Sequence, residues 1–295
     1  MDKSGYSKPL IGSGWLRALL YIIALFLLVI IFLSFFILGL YNGKFDATTL
    51  QSVFKKENLG ILNVILFILT VVITFVVRRW VDRKSFISLG LDFNGHVWEA
   101  IEGGMLAVFI ISGSSLLLNA TGHLKWMEII FDPKALFLSF GSIVLIAFYE
   151  ELIFRGYILN NLMDSFPKWL ALLISAILFM IFHWTSSGFF PLFNMLIMGL
   201  ILGLNYIYTR NLWFSICFHI GWKFMVGPVL GFSGDETFQT LLQTEMKGDE
   251  NITGGTSGLE GSVLLMAVSL ISLIALYIFL QKKLNPVSQP APGRI

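Results

Sequence analysis

The sequence predicts an all-α fold: a polytopic integral membrane protein with about eight transmembrane helices around a buried polar cavity. Composition is the first observation behind this. Of 295 residues, 56% are hydrophobic and only 13% charged, against about 25% charged in a soluble domain. The second is the recurrence of apolar runs near the ~20 residues that cross a bilayer. The third is a small set of ionisable residues inside those runs, all between positions 150 and 223. A spanning segment must satisfy its own backbone hydrogen bonds, so each run is expected to be a helix.

The runs lie near residues 16–41, 60–79, 98–119, 135–160, 169–184, 190–209, 212–231 and 261–280. The fifth is short and suits a tilted or protein-buried helix. The first follows Lys3, Lys8 and Arg17 and ends in Leu-Tyr-Asn-Gly. It is longer than the ~7–15 apolar residues of a secretory signal and has no small-residue cleavage site, so it reads as a retained span. With the N-terminus cytoplasmic, Lys3, Lys8, Arg17, Arg78, Arg79, Arg83, Lys84, Lys168, Arg210, Lys282, Lys283 and Arg294 lie inside. Lys44, Lys55, Lys56, Lys125, Lys134 and Lys247 lie outside. Twelve bases against six favours both termini in the cytoplasm.

The chain divides into N-terminal helices with an interfacial segment (1–134), a polar-bearing core (135–231), and an outer loop, last helix and cytoplasmic tail (232–295). Arg83 to Leu91 mixes bases with apolar residues and is expected to lie along the cytoplasmic interface. Ser233 to Gly261 is polar, acidic and Gly-rich, which predicts a mobile outer loop. Asn251-Ile252-Thr253 is a glycosylation sequon that matters only in a glycosylating host. The tail from Asn285 carries three prolines and is expected to be disordered. No internal repeat of fixed period appears, which disfavours a repeat-built transporter.

Ionisable side chains within a membrane are costly and mark function. Apart from span ends they are Glu150, Glu151, Arg155, His183, His219 and Lys223. Glu151 and Arg155 stand at i and i+4, so they share a helix face and can pair. Glu150 is rotated about 100° away and can point into a cavity. The bland alternative is an interfacial pair stabilising a helix end, but a pair needs one acid, not two. His183 closes an apolar run, with Phe179 one turn below to wall the site; a histidine bonded to a backbone carbonyl is the competing reading. His219 and Lys223 again share one face, and Lys223 can alternatively snorkel to an interface. Asn194 and Asn205 read as interhelical hydrogen-bond partners, and Gly199 and Gly203 as close helix packing. His96 and His123 fall in loops and receive no role.

Cys217 is the single cysteine, which excludes an internal disulfide and a cysteine-based zinc site. No nucleotide-binding glycine loop or nucleic-acid module is present. A Glu with two His is a catalytic metal set, with water as fourth ligand. Here Glu150, His183 and His219 would have to converge from three helices to bind zinc or another divalent metal. A metal-free route is equally complete. A carboxylate in an apolar cavity is a stronger base than one in water and can take a proton from water, which His183 helps to hold. His219 and Lys223 would donate to the oxyanion. Both routes hydrolyse a peptide bond in or beside the membrane.

These residues resemble the motifs of the CPBP intramembrane proteases, also called the Abi or type II CAAX endopeptidase family. Glu-Glu-x-x-x-Arg falls on Glu150, Glu151 and Arg155, and Phe-x-x-x-His on Phe179 and His183. His-x-x-x-Asn falls on His219 to position 223, where this chain has Lys223 instead. Ser88-Leu89-Gly90-Leu91 ahead of the third span is also similar. The resemblance covers about residues 135–225. It implies a cavity open to the cytoplasmic side. It also implies Glu150 as water-activating base aided by His183, and His219 with position 223 as oxyanion donors or part of a metal site. Lys223 departs from the pattern. A protonated ammonium can donate to an oxyanion but cannot bind a metal, and it could pair with Glu150 and quench the base.

The resulting expectation is an intramembrane endopeptidase of a bacterial plasma membrane. Its partners are the lipid bilayer and a membrane-associated peptide or protein substrate, not nucleic acid. Two rivals accompany it: a catalytically silent immunity or scaffold protein of the same fold, which Lys223 favours, and an ion-coupled transporter using the buried acids as a relay.

Overall fold

The computed structural model describes residues 8–40, 56–184, 188–232 and 240–284. The expected tail, and the bases Lys3, Lys44, Lys55 and Arg294, lie outside these ranges. Helices form where the apolar runs predict them. They are α1 (Gly14–Leu40), α2 (Lys56–Trp80), α3 (Val97–Ala120), α4 (Pro133–Glu151), α5 (Lys168–Phe182), α6 (Phe189–Thr209) and α7 (Trp213–Phe224). The short α8 (Glu250–Thr253) and the apolar α9 (Val263–Leu284) follow. Among the described residues, six helical stretches are long and apolar enough to cross a membrane, whereas α5 is a shorter apolar helix. The helix α7 has 12 residues before it turns π-helical over Met225–Val229, where Pro228 cannot donate to an α-helical ladder. The fold is all-α and polytopic.

Helix α4 starts cleanly. Asp132 accepts a hydrogen bond from the Ala135 amide, and Pro133 takes the first helical position, where its missing N–H costs nothing. Beyond Glu151 the helix continues in π form over Leu152–Leu159 and returns to α over Asn160–Leu162. Insertions of this kind are rare and concentrate at functional sites. Helices α5 and α6 approach closely because a Cβ at Gly199 would stand 3.1 Å from Ala176 Cα. Likewise α3 and α7 meet at Gly103, where a Cβ would collide with the Phe214 backbone. Asn194 serves between segments, donating to the Glu260 carbonyl at 2.7 Å, but Asn205 stays within its own helix and accepts from Thr209.

The structure corrects two expectations. The outer loop is ordered over its described part. Leu124–Ile129 (β1) pairs antiparallel with Leu242–Met246 (β2), and α8 and a 3-10 turn over Gly255–Gly261 follow. Pairing across a chain separation this long leaves no local signal. The segment Arg83 to Leu91 does not simply lie on the interface. Leu89 is fully buried, its carbonyl accepts from the Tyr206 hydroxyl, and Gly90 takes the Leu212 amide at 2.9 Å. A side chain at Gly90 would strike the Arg210 carbonyl, and its φ of 104° suits glycine.

Arg17 and Arg78, counted from sequence among the cytoplasmic-side bases, have partners that the sequence did not indicate. Both are buried around a buried Asp82. Arg17 donates to Asp82 at 3.0 Å and to Asp164 at 2.7 Å, and Arg78 donates to Asp82 at 2.9 Å. The Tyr157 hydroxyl, on the π segment of α4, donates to Asp82 at 3.3 Å. This network fastens α1 and α2 to the far end of α4.

Candidate active site

The site begins with two consecutive acids on α4. Glu150 is 3% exposed, and Glu151, Arg155 and His219 are fully buried. Glu151 Oε1 accepts from Arg155 at 2.8 Å, the pairing expected from the i,i+4 spacing. The same oxygen also accepts from Nδ1 of His219 at 2.8 Å, which the sequence did not indicate. Arg155 extends further: it donates to the Gly199 carbonyl at 3.2 Å and lies 4.3 Å above the Phe179 ring. Glu151 and Arg155 therefore form the scaffold on which His219 is oriented.

His183 follows the last residue of α5. Its Nδ1 lies 3.1 Å from the Phe179 carbonyl, and its ring 4.4 Å from the Phe179 ring. Phe179 walls the site from below, as expected, and also faces His219 at 6.0 Å. Thus one ring nitrogen of His183 meets the Phe179 carbonyl and the other faces Glu150.

Glu150 Oε2 is the meeting point. His183 Nε2 stands 3.2 Å from it and His219 Nε2 3.6 Å, ion-pair distances without hydrogen-bond alignment. Glu150 Oε2 and His219 Nε2 are both buried without a hydrogen-bond partner among the described residues. The tautomers follow from the other partners. A carbonyl and a carboxylate only accept, so both Nδ1 atoms carry the proton. In the neutral imidazoles both Nε2 atoms are then bare lone pairs. Three acceptors converge with no donor among them.

Lys223 lies one turn beyond His219, half-buried, and makes no hydrogen bond or ion pair among the described residues. Its charge acts on Glu150 and His219 through space, while the direct neighbours of Glu150 Oε2 are the two histidines. Two residues that sequence reasoning passed over flank this turn: Trp222 Nε1 donates to Glu260 Oε1 at 2.8 Å, tying α7 to the 3-10 turn. His96 and His123 are remote from the cluster: His96 pairs loosely with Glu99, and His123 contacts Thr121.

All six ionisable residues singled out from the sequence thus lie on α4, the end of α5 and α7, five of them in direct contact and the sixth acting through its charge. No curated protein and no solved structure matches the chain. Residues 132–225, which hold all six, match the family model described as Type II CAAX prenyl endopeptidase Rce1-like.

Proposed function

We propose that the chain is an intramembrane endopeptidase that hydrolyses a peptide bond of a membrane-associated protein or peptide, using water activated by Glu150. The observation that carries this is the convergence of Glu150 Oε2 with two imidazole Nε2 atoms, three acceptors facing one another in a buried site. Water, with two hydrogens to donate, is the neutral partner that such a set takes. It donates to Glu150 Oε2 and to one Nε2, which leaves an oxygen lone pair free for attack.

The steps follow from the donor inventory. As the water oxygen bonds to the scissile carbonyl carbon, its proton passes to Glu150. The carbonyl oxygen becomes an oxyanion. Lys223, which only donates, stabilises it, together with His219 when that ring carries a second proton. Glu150 then returns its proton to the leaving nitrogen and the C–N bond breaks. His183 holds the water, Glu151 fixes His219, and Arg155 neutralises Glu151. This moves the first oxyanion role from His219 to Lys223, because Glu151 takes the His219 Nδ1 proton's hydrogen bond and leaves Nε2 bare.

A metal-free form is the one proposed. Glu150, His183 and His219 carry the right atoms for zinc or another divalent cation. However, no group of three such side chains among the described residues is arranged to hold one, and the Lys223 ammonium acts on the same carboxylate. An apolar groove of about 540 Å³ between α1, α2, α4 and α5 supports a substrate that arrives through lipid. It reaches Tyr149 and Phe182, the chain neighbours of Glu150 and His183.

The test is to map new protein N-termini in membranes of cells carrying the wild-type chain or its Glu150→Gln, His183→Ala and His219→Ala variants, each checked for folding. The wild type should generate N-termini that all three variants lack. Identical N-termini from Glu150→Gln would overturn the proposal. The second reading, a silent binding protein, rests on Lys223 standing where the resembled motif has Asn. It is supported instead if Glu150→Gln retains the chain's full cellular role.

A further inference from the structure

Resting on the endopeptidase reading, we infer that Asn63, Thr70 and Tyr149 bind the backbone of the substrate, held as a short extended segment of apolar peptide in the groove beside the site. Every other residue lining that groove is Leu, Ile, Val or Phe. None of these three polar side chains makes a hydrogen bond among the described residues, although Tyr149 is 8% exposed, Thr70 2%, and Asn63 half-buried. A buried tyrosine hydroxyl ordinarily finds a partner, and the other buried tyrosines here do. Tyr21 meets Thr74 at 2.7 Å, Tyr157 donates to Asp82 at 3.3 Å, and Tyr206 to the Leu89 carbonyl at 2.9 Å. Thr70 is the same kind of exception. A helical Ser or Thr can turn back onto the carbonyl four residues earlier, as Ser34, Ser114, Ser115 and Thr209 do. Thr70 makes no such bond and lines the groove instead.

Their spacing suits an extended chain. Phe67 of α2 meets Phe148 of α4 at 5.6 Å between ring centroids, and further along both helices Arg78 reaches Asn160 at 3.5 Å, so α2 and α4 run parallel. Asn63 and Thr70 are separated by about 10 Å of helical rise. Phe67 falls between them, which sets Tyr149 at a height between the two. That span matches roughly three residues of extended backbone. In lipid, the N–H and C=O groups of an extended peptide must find partners. Two hydroxyls and an amide supply both donors and acceptors. A hydrocarbon tail would fill the groove and leave all three side chains unpartnered. A substrate helix already satisfies its own backbone and would not use them. Unwound peptide meets both demands at once. Tyr149 and Phe182, which line the groove, directly precede Glu150 and His183, so the bound segment flanks the scissile bond. The substrate class that fits is a membrane protein whose apolar segment unwinds next to the bond that is cut.

Binding to the full chain in lipid nanodiscs tests this without catalysis, in a Glu150→Gln background. The probes are a dansylated peptide of alternating leucine and valine flanked by lysines, and dansyl-hexadecylamine as a hydrocarbon chain without peptide groups. Energy transfer from the tryptophans reports binding above that to empty nanodiscs. The peptide should bind saturably. Tyr149→Phe, Thr70→Val and Asn63→Leu should each weaken it about fivefold, the worth of one hydrogen bond, and leave binding of the hydrocarbon probe unchanged. Because these groups have no partner within the fold, the melting temperature should hold or rise in each variant. Absence of saturable peptide binding, equal peptide affinity in all three variants, or a melting temperature that falls in all three overturns the inference. Weakened binding in the variants of a chain whose wild type generates no new N-termini refutes only the protease reading. New N-termini without such binding refute only this inference.

Discussion

Two buried polar clusters sit on the same helix, and they are built in opposite ways. Around Asp82, near the end of α4, both carboxylate oxygens are taken: Arg17 and the Tyr157 hydroxyl reach one, Arg78 and Asn161 the other. Around Glu150, nine residues before the π segment ends, Oε2 faces two bare imidazole nitrogens and has no donor. A saturated carboxylate holds helices together. An unsaturated one, equally buried, has an oxygen that can still accept from a donor. The family match covers 132–225, so Arg17, Arg78 and Asp82 fall outside it while Glu150 falls inside.

The comparison can be broken most directly at Glu150. Glu150→Gln keeps size and removes the base, so turnover should fall about 10²–10⁴-fold while the melting temperature stays put; a large loss of stability would show that Glu150 is structural after all. Asp82→Ala should do the converse. It strands two buried guanidiniums and should cost about 3–5 kcal/mol in denaturant or thermal unfolding in detergent, with activity tracking the folded fraction. Gly199→Val tests the support beneath the site. It forces α6 off Ala176 and should cost about 1–3 kcal/mol, along with activity, because the Gly199 carbonyl anchors Arg155. Tyr157→Phe deletes one hydrogen bond to Asp82 and should cost about 1 kcal/mol with turnover per folded molecule preserved. Smallest of all, exhaustive chelation should leave proteolysis unchanged; its abolition, with restoration by one divalent metal, would replace the metal-free route.

The site was legible where chemistry is local. Glu151 and Arg155 pair across one helical turn, and His183 meets its own Phe179 carbonyl four residues back. The link from His219 to Glu151 spans 68 residues, and that from Arg17 to Asp82 spans 65. No periodicity carries such distances. The burial of Arg17 and Arg78 went unseen for the same reason: a base at a span end looks alike whether it meets water or a buried acid. The outer sheet escaped notice because its two strands are separated by most of the core.

By itself the sequence determined the class of molecule, the positions of its apolar helices, and the short list of side chains able to do chemistry. Hydrophobic burial and backbone hydrogen bonding in lipid leave few alternatives once 56% of the residues are hydrophobic. Only the tertiary structure decided how those side chains divide their work. Glu151 became the shared acceptor of Arg155 and His219, Glu150 the acid left facing two lone pairs, and His183 the less buried of the two histidines beside it. These roles depend on which atom meets which across helices. Packing sets that, and it takes hold only when distant helices close on one another.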